Sequence, residues 1–137
     1  MKRRQFIALV GAATLTPLAL RAAKTLDYTP GLVADQLAAG KTVFVDFYTD
    51  WCSTCRAQGR NIEALRRENP AYDANMVFVK VDWDVHAKSK IARKYRIPRR
   101  STLIVLKGDK ELGRNVADPS KSAIKELMDI GLAAANA

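Results

Sequence analysis

Thr42-Val43-Phe44-Val45-Asp46-Phe47-Tyr48, running on into Thr49-Asp50-Trp51-Cys52-Ser53-Thr54-Cys55, is the stretch on which the reading of this chain turns. The first seven residues are a nearly continuous run of apolar, β-branched and aromatic side chains. A strand covered on both faces reads this way. Asp46 is the exception inside it. Directly behind the strand come two cysteines three positions apart. They lead into a helical pattern with Ile62 and Leu65 inward, closed before Pro70. A Cys-x-x-Cys placed there sits at the C-terminal end of a buried strand, where open α/β sheets build their sites.

Working outward, Thr25–Tyr28 reads as a short extended piece. Thr29-Pro30 reads as an N-cap followed by proline at the first helical position, with Leu32, Val33 and Leu37 on one face and Gly40 as the stop. Met76–Val81 is a second buried strand. Asp84 is expected to cap one helix through Tyr95, with Ile91 inward. Leu103–Leu106 is a third strand, 107–110 a turn, and Glu111–Asn115 an edge strand. Asp118-Pro119 is expected to open a last helix with Ile124, Leu127, Met128 and Leu132 inward, frayed from Ala133. This order predicts an α/β fold, a mixed central sheet with helices on both faces.

The chain has 137 residues, which suits one folded domain. It carries a net charge of +9, but Lys2, Arg3, Arg4 and Arg21 contribute four of the basic groups. The remainder holds 19 basic against 14 acidic side chains, or +5, a mildly basic globule without the dense aromatic-laced patch that nucleic-acid binding wants. Two cysteines are too few for a disulfide scaffold. With one histidine, His86, they cannot complete a four-ligand zinc site within the chain. Reversible redox chemistry is what remains natural for the pair.

The first segment reads as an address. A basic head, Lys2-Arg3-Arg4, precedes a 15-residue apolar run, Phe6–Leu20, broken by Gly11, Thr14, Thr16 and Pro17. That is short for a membrane span and has the layout of a signal peptide. Arg3-Arg4-x-Phe6-Ile7 resembles a twin-arginine export signal. The expected division is residues 1–23 as signal, cut after Ala22 or Ala23, and 24–137 as the mature domain, with a periplasmic location. A general secretory signal and an uncleaved amphipathic anchor are the alternatives, and only the anchor would bring a membrane contact.

The segment Val43–Cys55 resembles the active-site segment of thioredoxins, and Met76–Asp82, Tyr95-Arg96-Ile97 and Thr102–Gly108 resemble later blocks of that family. The likeness runs over about residues 25–132. Asp50-Trp51-Cys52 also resembles the entry to the site in thioredoxin-like domains of periplasmic disulfide reductases. The resemblance implies a thioredoxin fold, a redox-active disulfide between Cys52 and Cys55, and thiol–disulfide exchange without a bound cofactor.

Physical chemistry gives the residues their expected roles. Cys52 at a helix start has its thiolate favoured by free N–H groups and the helix dipole, and a thiolate is the attacking species. Cys55, one turn on, resolves the mixed disulfide and needs a base. Asp46 suits that need, because a carboxylate in an apolar strand has a raised pKa; the family resemblance gives it the same role. A surface aspartate on an edge strand is the alternative. Trp51 is expected to shape the approach of the partner, or else to be a plain core aromatic. His86 reads as structural, and Asp50 as a solvated loop acid.

One position departs from the family. Thioredoxins carry a cis-proline facing the cysteines, and counting from Tyr95 puts Ser101 there, with Thr102 matching the following threonine; Pro98 is the competing candidate. A non-proline cis bond costs about 2.5–4 kcal/mol, so a trans Arg100–Ser101 peptide is expected, with the serine hydroxyl in reach of a cysteine sulfur. Arg100 is expected near Cys52, where it lowers a thiol pKa and attracts acidic partners. Trp51, Arg100, Ser101 and Thr102 are thus the expected substrate-binding residues.

The expectation for function is an exported thiol–disulfide oxidoreductase, a monomer that serves protein disulfide and dithiol substrates and draws on an unidentified electron donor or acceptor, with reduction slightly favoured. The rival from another class is a metal-binding or metal-delivery module using the same two thiolates. A binding module with vestigial cysteines is a third reading.

Overall fold

A computed structural model describes residues 24–137. The expected signal segment, residues 1–23, lies outside them. Among the described residues no helix is long and apolar enough to cross a membrane.

Five strands form one mixed sheet: β1 (Leu26–Asp27), β2 (Thr42–Tyr48), β3 (Met76–Asp82), β4 (Thr102–Lys107) and β5 (Lys110–Val116), in the order β1-β3-β2-β4-β5. β2 lies at the centre, parallel to β3 and antiparallel to β4. β1 is parallel to β3, and β5 is antiparallel to β4. Among the described residues six helices cover the faces: α1 (Leu32–Ala38), α2 (Ser53–Glu68), α3 (Ala71–Asn75), α4 (Trp83–His86), α5 (Lys90–Lys94) and α6 (Lys121–Ala135).

Strand alternation sorts the core into two layers. Val43, Val45 and Phe47 of β2, with Val79, Val81, Ile104 and Leu106, face one side and meet Val33, Ile91 and Ile97. Phe44, Phe78, Leu103 and Val105 face the other, against Ile62 and Leu65 of α2, Tyr72 of α3, and Ile124, Leu127 and Met128 of α6. Asp46 shares the parity of Phe44 and so projects to the α2 side. Its register partners are Lys80 on β3 and Leu103 on β4. α6 comes so close to the sheet that a Cβ at Gly131 would lie 2.5 Å from the Met76 sulfur, so any larger residue there would have to displace the Met76 side chain.

Several boundaries differ from the expected ones, each for a local reason. α1 begins at Leu32 rather than Pro30, because Thr29–Gly31 is a turn closed by Leu32 N–H on the Thr29 carbonyl, with Gly31 at φ 90°. α3 was not foreseen. It starts immediately after Asn69-Pro70, and the Asn69 side chain accepts the Ala71 N–H. The single helix expected from Asp84 to Tyr95 is two: Asp82, not Asp84, caps α4, and the Ser89 hydroxyl accepts the Ala92 N–H and starts a second helix. Ser120, not Asp118, caps α6, whose last turn holds through Ala135, where the Lys107 ammonium donates to the Ala134 carbonyl.

Candidate active site

The end of β2 and the start of α2 place the two cysteines. Cys52 is the N-cap of α2, with extended backbone dihedrals, and its sulfur accepts the Cys55 N–H at 3.2 Å. Sulfur thus fills the capping role usually given to a serine or aspartate oxygen, and a charged sulfur fills it best. Cys55 lies one turn in. Both cysteines are free thiols, 5% and 4% exposed, so exposure does not separate their roles. Hydrogen bonding does. Burial pushes the Cys52 thiol up, but this is outweighed by hydrogen bonds from the Cys55 side chain, the Ser101 hydroxyl, the Cys55 N–H and Arg100, which hold it at about 6. Burial and the neighbouring Cys52 push Cys55 above the usual thiol range. At neutral pH the pair therefore holds one thiolate, on Cys52, and one proton, on Cys55.

Asp46 lies beneath them on β2. Burial raises its carboxyl to about 7, against the pull of Lys80 and with a further push from Cys52, and its Oδ1 is buried without a hydrogen-bond partner. Lys80 itself is shared with Asp27, at 3.7 Å. Asp46 and Cys55 line one cleft of about 350 Å³, together with Thr49, Asp50, Glu63 and Lys80. A carboxylate poised near neutrality within the same cleft as a resolving thiol is what a proton exchange between them requires.

The loop that faces the cysteines is Arg96–Ser101. Ser101 occupies it as the residue against the sulfurs; Pro98, the competing candidate, is exposed and away from them. Among the described residues no peptide is cis, so Arg100–Ser101 is trans. Ser101 instead adopts the left-handed region, φ 64°, at a cost of about 1–2 kcal/mol for a residue with a Cβ. Its hydroxyl stands 3.0 Å from the Cys55 sulfur and 3.3 Å from the Cys52 sulfur. Arg100 stacks its guanidinium 4.3 Å above the Trp51 ring, and Trp51 donates from Nε1 to Asp84 at 3.0 Å. Trp51 is 58% exposed, which excludes the plain core aromatic and leaves it on the rim of the site.

Thr102 needs a correction. It was expected to bind substrate, but it is fully buried and its hydroxyl donates to the Arg99 carbonyl at 2.7 Å, closing the turn. Its side chain has nothing left to offer a partner. His86 packs edge-on against Tyr28, 4.9 Å between centroids, in a structural role. Asp50 is exposed, and its carbonyl accepts from Arg56. Sequence reasoning missed Gln58. This residue of α2, fully buried, donates from Nε2 to the Ser101 carbonyl at 3.1 Å and to the Asp118 carbonyl at 3.2 Å. The available signal was an amide at Cys55+3, in line with the inward Ile62 and Leu65. Among the described residues no group of three or more His, Cys, Asp or Glu side chains is placed to hold a metal ion. Among the described residues a zinc ion on the two thiols would find no third and fourth ligand, whereas Cu(I) can be held by two thiolates alone.

A parallel strand ending in a cysteine-capped helix, with a second thiol one turn on and a buried carboxyl behind them, is the arrangement of a thiol–disulfide oxidoreductase. Comparison with known proteins gives the family. The Thioredoxin family model matches residues 29–130. Thioredoxin of Chlamydia trachomatis is 33% identical over 95 residues, 69% of this chain and 86% of the relative. Thioredoxin of Echinococcus granulosus is 33% identical over 88 residues, 64% of this chain and 76% of the relative. Among solved structures, Trxlp from Edwardsiella tarda superimposes with a TM-score of 0.65 at 30% identity, covering 75% of this chain and 98% of its own. The chain belongs to the thioredoxin family.

Proposed function

We propose that this protein is exported and reduces disulfides in proteins outside the cytoplasm, with Cys52 as nucleophile, Cys55 as resolving thiol and Asp46 as proton carrier. The observation that carries the site assignment is the split between the two sulfurs: Cys52 caps the helix and is held at about 6, while Cys55 is held above the usual thiol range. The Cys52 thiolate attacks one sulfur of a substrate disulfide. The new bond is the mixed disulfide, and the departing substrate thiolate takes a proton from water. Cys55 then gives its proton to Asp46, and its thiolate attacks the Cys52 sulfur. The mixed disulfide breaks, Cys52–Cys55 forms, and the second substrate sulfur leaves and recovers the proton. Two electrons pass from the dithiol to the substrate. Trp51 and Arg100 border the approach, where the guanidinium favours acidic segments. A reducing direction is supported by the likeness to thioredoxins, and export by the Arg3-Arg4 pair ahead of the apolar run.

Cys55→Ser should accumulate mixed disulfides with partner proteins, and Cys52→Ser should not. Trapping by Cys52→Ser instead reverses the assignment. The potential of the pair decides direction: a value near that of cytosolic dithiols supports a reductase, whereas one above about −150 mV marks an oxidant. Replacing Arg3 and Arg4 together by lysine should block export by the twin-arginine route. Normal export of that variant leaves a general secretory signal as the reading.

A further inference from the structure

Every polar group of Ser101 is engaged. Its N–H donates to the Phe47 carbonyl on β2 at 2.7 Å. Its carbonyl accepts from Ala117 N–H at 2.8 Å and from Gln58 Nε2 at 3.1 Å. Its hydroxyl lies between the two sulfurs, at 3.0 and 3.3 Å. The second N–H of Gln58 goes to the Asp118 carbonyl at 3.2 Å. Two carbonyls on one nitrogen also fix the orientation of the amide, since the flipped form would set oxygen against both. Ser101 and Gln58 are both fully buried. An unhelped serine would gain little by holding a left-handed φ of 64° here; the bonds from β2, α2 and the loop after β5 impose it.

We propose that Ser101 is a catalytic residue whose hydroxyl serves both sulfurs in turn, and that Gln58 is the positioning residue that holds it there. This rests on the exchange reaction proposed above. In the dithiol form the Ser101 O–H and the Cys55 S–H both donate to the Cys52 thiolate, and the serine oxygen stands 3.0 Å from the Cys55 sulfur. Once Cys52 is in the mixed disulfide and Cys55 has passed its proton to Asp46, the same O–H turns and donates to the Cys55 thiolate. No bond to Ser101 forms or breaks, and it neither gains nor loses a proton. A rotation about one C–O bond follows the negative charge from one sulfur to the other. A proline ring at this position has no donor and can do neither.

The charged groups around the sulfurs are Asp46 and Lys80 from the sheet, Arg100 from the facing loop, and Asp50, Arg56, Glu63 and Arg66 along the cleft. The test therefore isolates each sulfur and leaves those groups in place. In Cys55→Ala the pH dependence of iodoacetamide alkylation reads Cys52; in Cys52→Ala it reads Cys55. Adding Ser101→Gly, which suits the positive φ and removes the hydroxyl together with its Cβ, should raise both midpoints by about one pH unit, a tenfold loss of thiolate well below the midpoint. Gln58→Met should move both in the same direction by less. A movement confined to Cys52, or absent from both, overturns the shared hydroxyl, as a merely structural serine would change thermal stability and leave the midpoints alone. Unmoved midpoints in a folded Gln58→Met overturn the positioning role. In the unsubstituted chain the Gln58 side-chain amide should exchange slowly with deuterium, and rapid exchange overturns that role whether or not the variant folds. Disulfide reduction by the full chain is measured alongside: if the unsubstituted protein fails it, the exchange reading falls, whereas activity with unmoved midpoints sinks only the serine.

Discussion

The turn that carries the cysteines and the loop that faces it are built by opposite means. In the turn, the bonds that matter are local: Cys55 N–H to the Cys52 sulfur, and Arg56 N–H to the Cys52 carbonyl. In the loop, Ser101 is held by Phe47, Gln58 and Ala117, from a strand, a helix and a second loop. A local motif forms wherever its few residues stand in order. A geometry tied down from three elements depends on all of them, and it can hold a backbone conformation that serine alone would avoid. Cys52 thus owes its capping bond to a short segment, and the serine contact at its sulfur to the rest of the fold.

The comparison can be broken from either side. The largest effect is expected from Cys52→Ser, which should reduce exchange to the uncatalysed background while the fold survives; residual turnover would mean that Cys55 can attack unaided. Next comes Asp46→Asn. Turnover at pH 7 should fall roughly 10²-fold, the usual weight of a proton carrier. Because the folded carboxyl is raised from 3.8 to about 7, the folded chain holds a proton that the unfolded chain has lost. Stability should therefore decline as pH rises from about 4 to 7, and Asp46→Asn should remove that decline. The gain is on the order of 4 kcal/mol at pH 8 and falls below about 1 kcal/mol near pH 4. Urea unfolding at the two pH values checks it, and equal gains at both would contradict a titrating Asp46.

Cys52 acts in the opposite direction. Its folded pKa lies at about 6, below the 9.0 of a free thiol, so the unfolded chain binds the extra proton between those values. Stability of the reduced protein should rise from about pH 7 to 9, above the range in which Asp46 titrates, and Cys52→Ser should lose that rise. The smallest effect is expected from Arg100→Ala. It should raise the Cys52 alkylation midpoint by roughly half a pH unit, as suits a partly exposed charge. A larger shift would move the weight of the tuning from the serine to the arginine.

Much of the fold was legible because the strands are long and strongly patterned. Residues 42–48 and 76–81 announce buried strands, and the Cys-x-x-Cys behind the first announces the site. What stayed hidden is what tertiary partners decide. Asn69-Pro70 reads as a stop, yet it also starts α3, whose Tyr72 is buried and donates to Asp129 on α6. The run from Trp83 to Lys94 has helical composition throughout, and only the competition of the Ser89 hydroxyl divides it. Gln58 looked like one more polar residue on a helix, because nothing local reveals that two carbonyls of distant loops await its amide. Thr102 is hidden for the same reason: its hydroxyl donates to the Arg99 carbonyl, a bond that only the folded loop creates.

The sheet's two margins carry a consequence of a different kind. A bare strand edge is a template on which another chain can add, and proteins that avoid aggregation blunt it. β1 is only two residues long, too short to template anything. β5 is seven residues long but sets Lys110, Glu111 and Arg114 along its length, with the Glu111–Arg114 pair bridging and Arg114 reaching back to the Tyr95 and Arg96 carbonyls. Bringing a second β5 alongside would strip water from those charges and set like against like in one of the two directions. Among the described residues both margins of the sheet are thus poor templates for strand addition, the first by its length and the second by its charge.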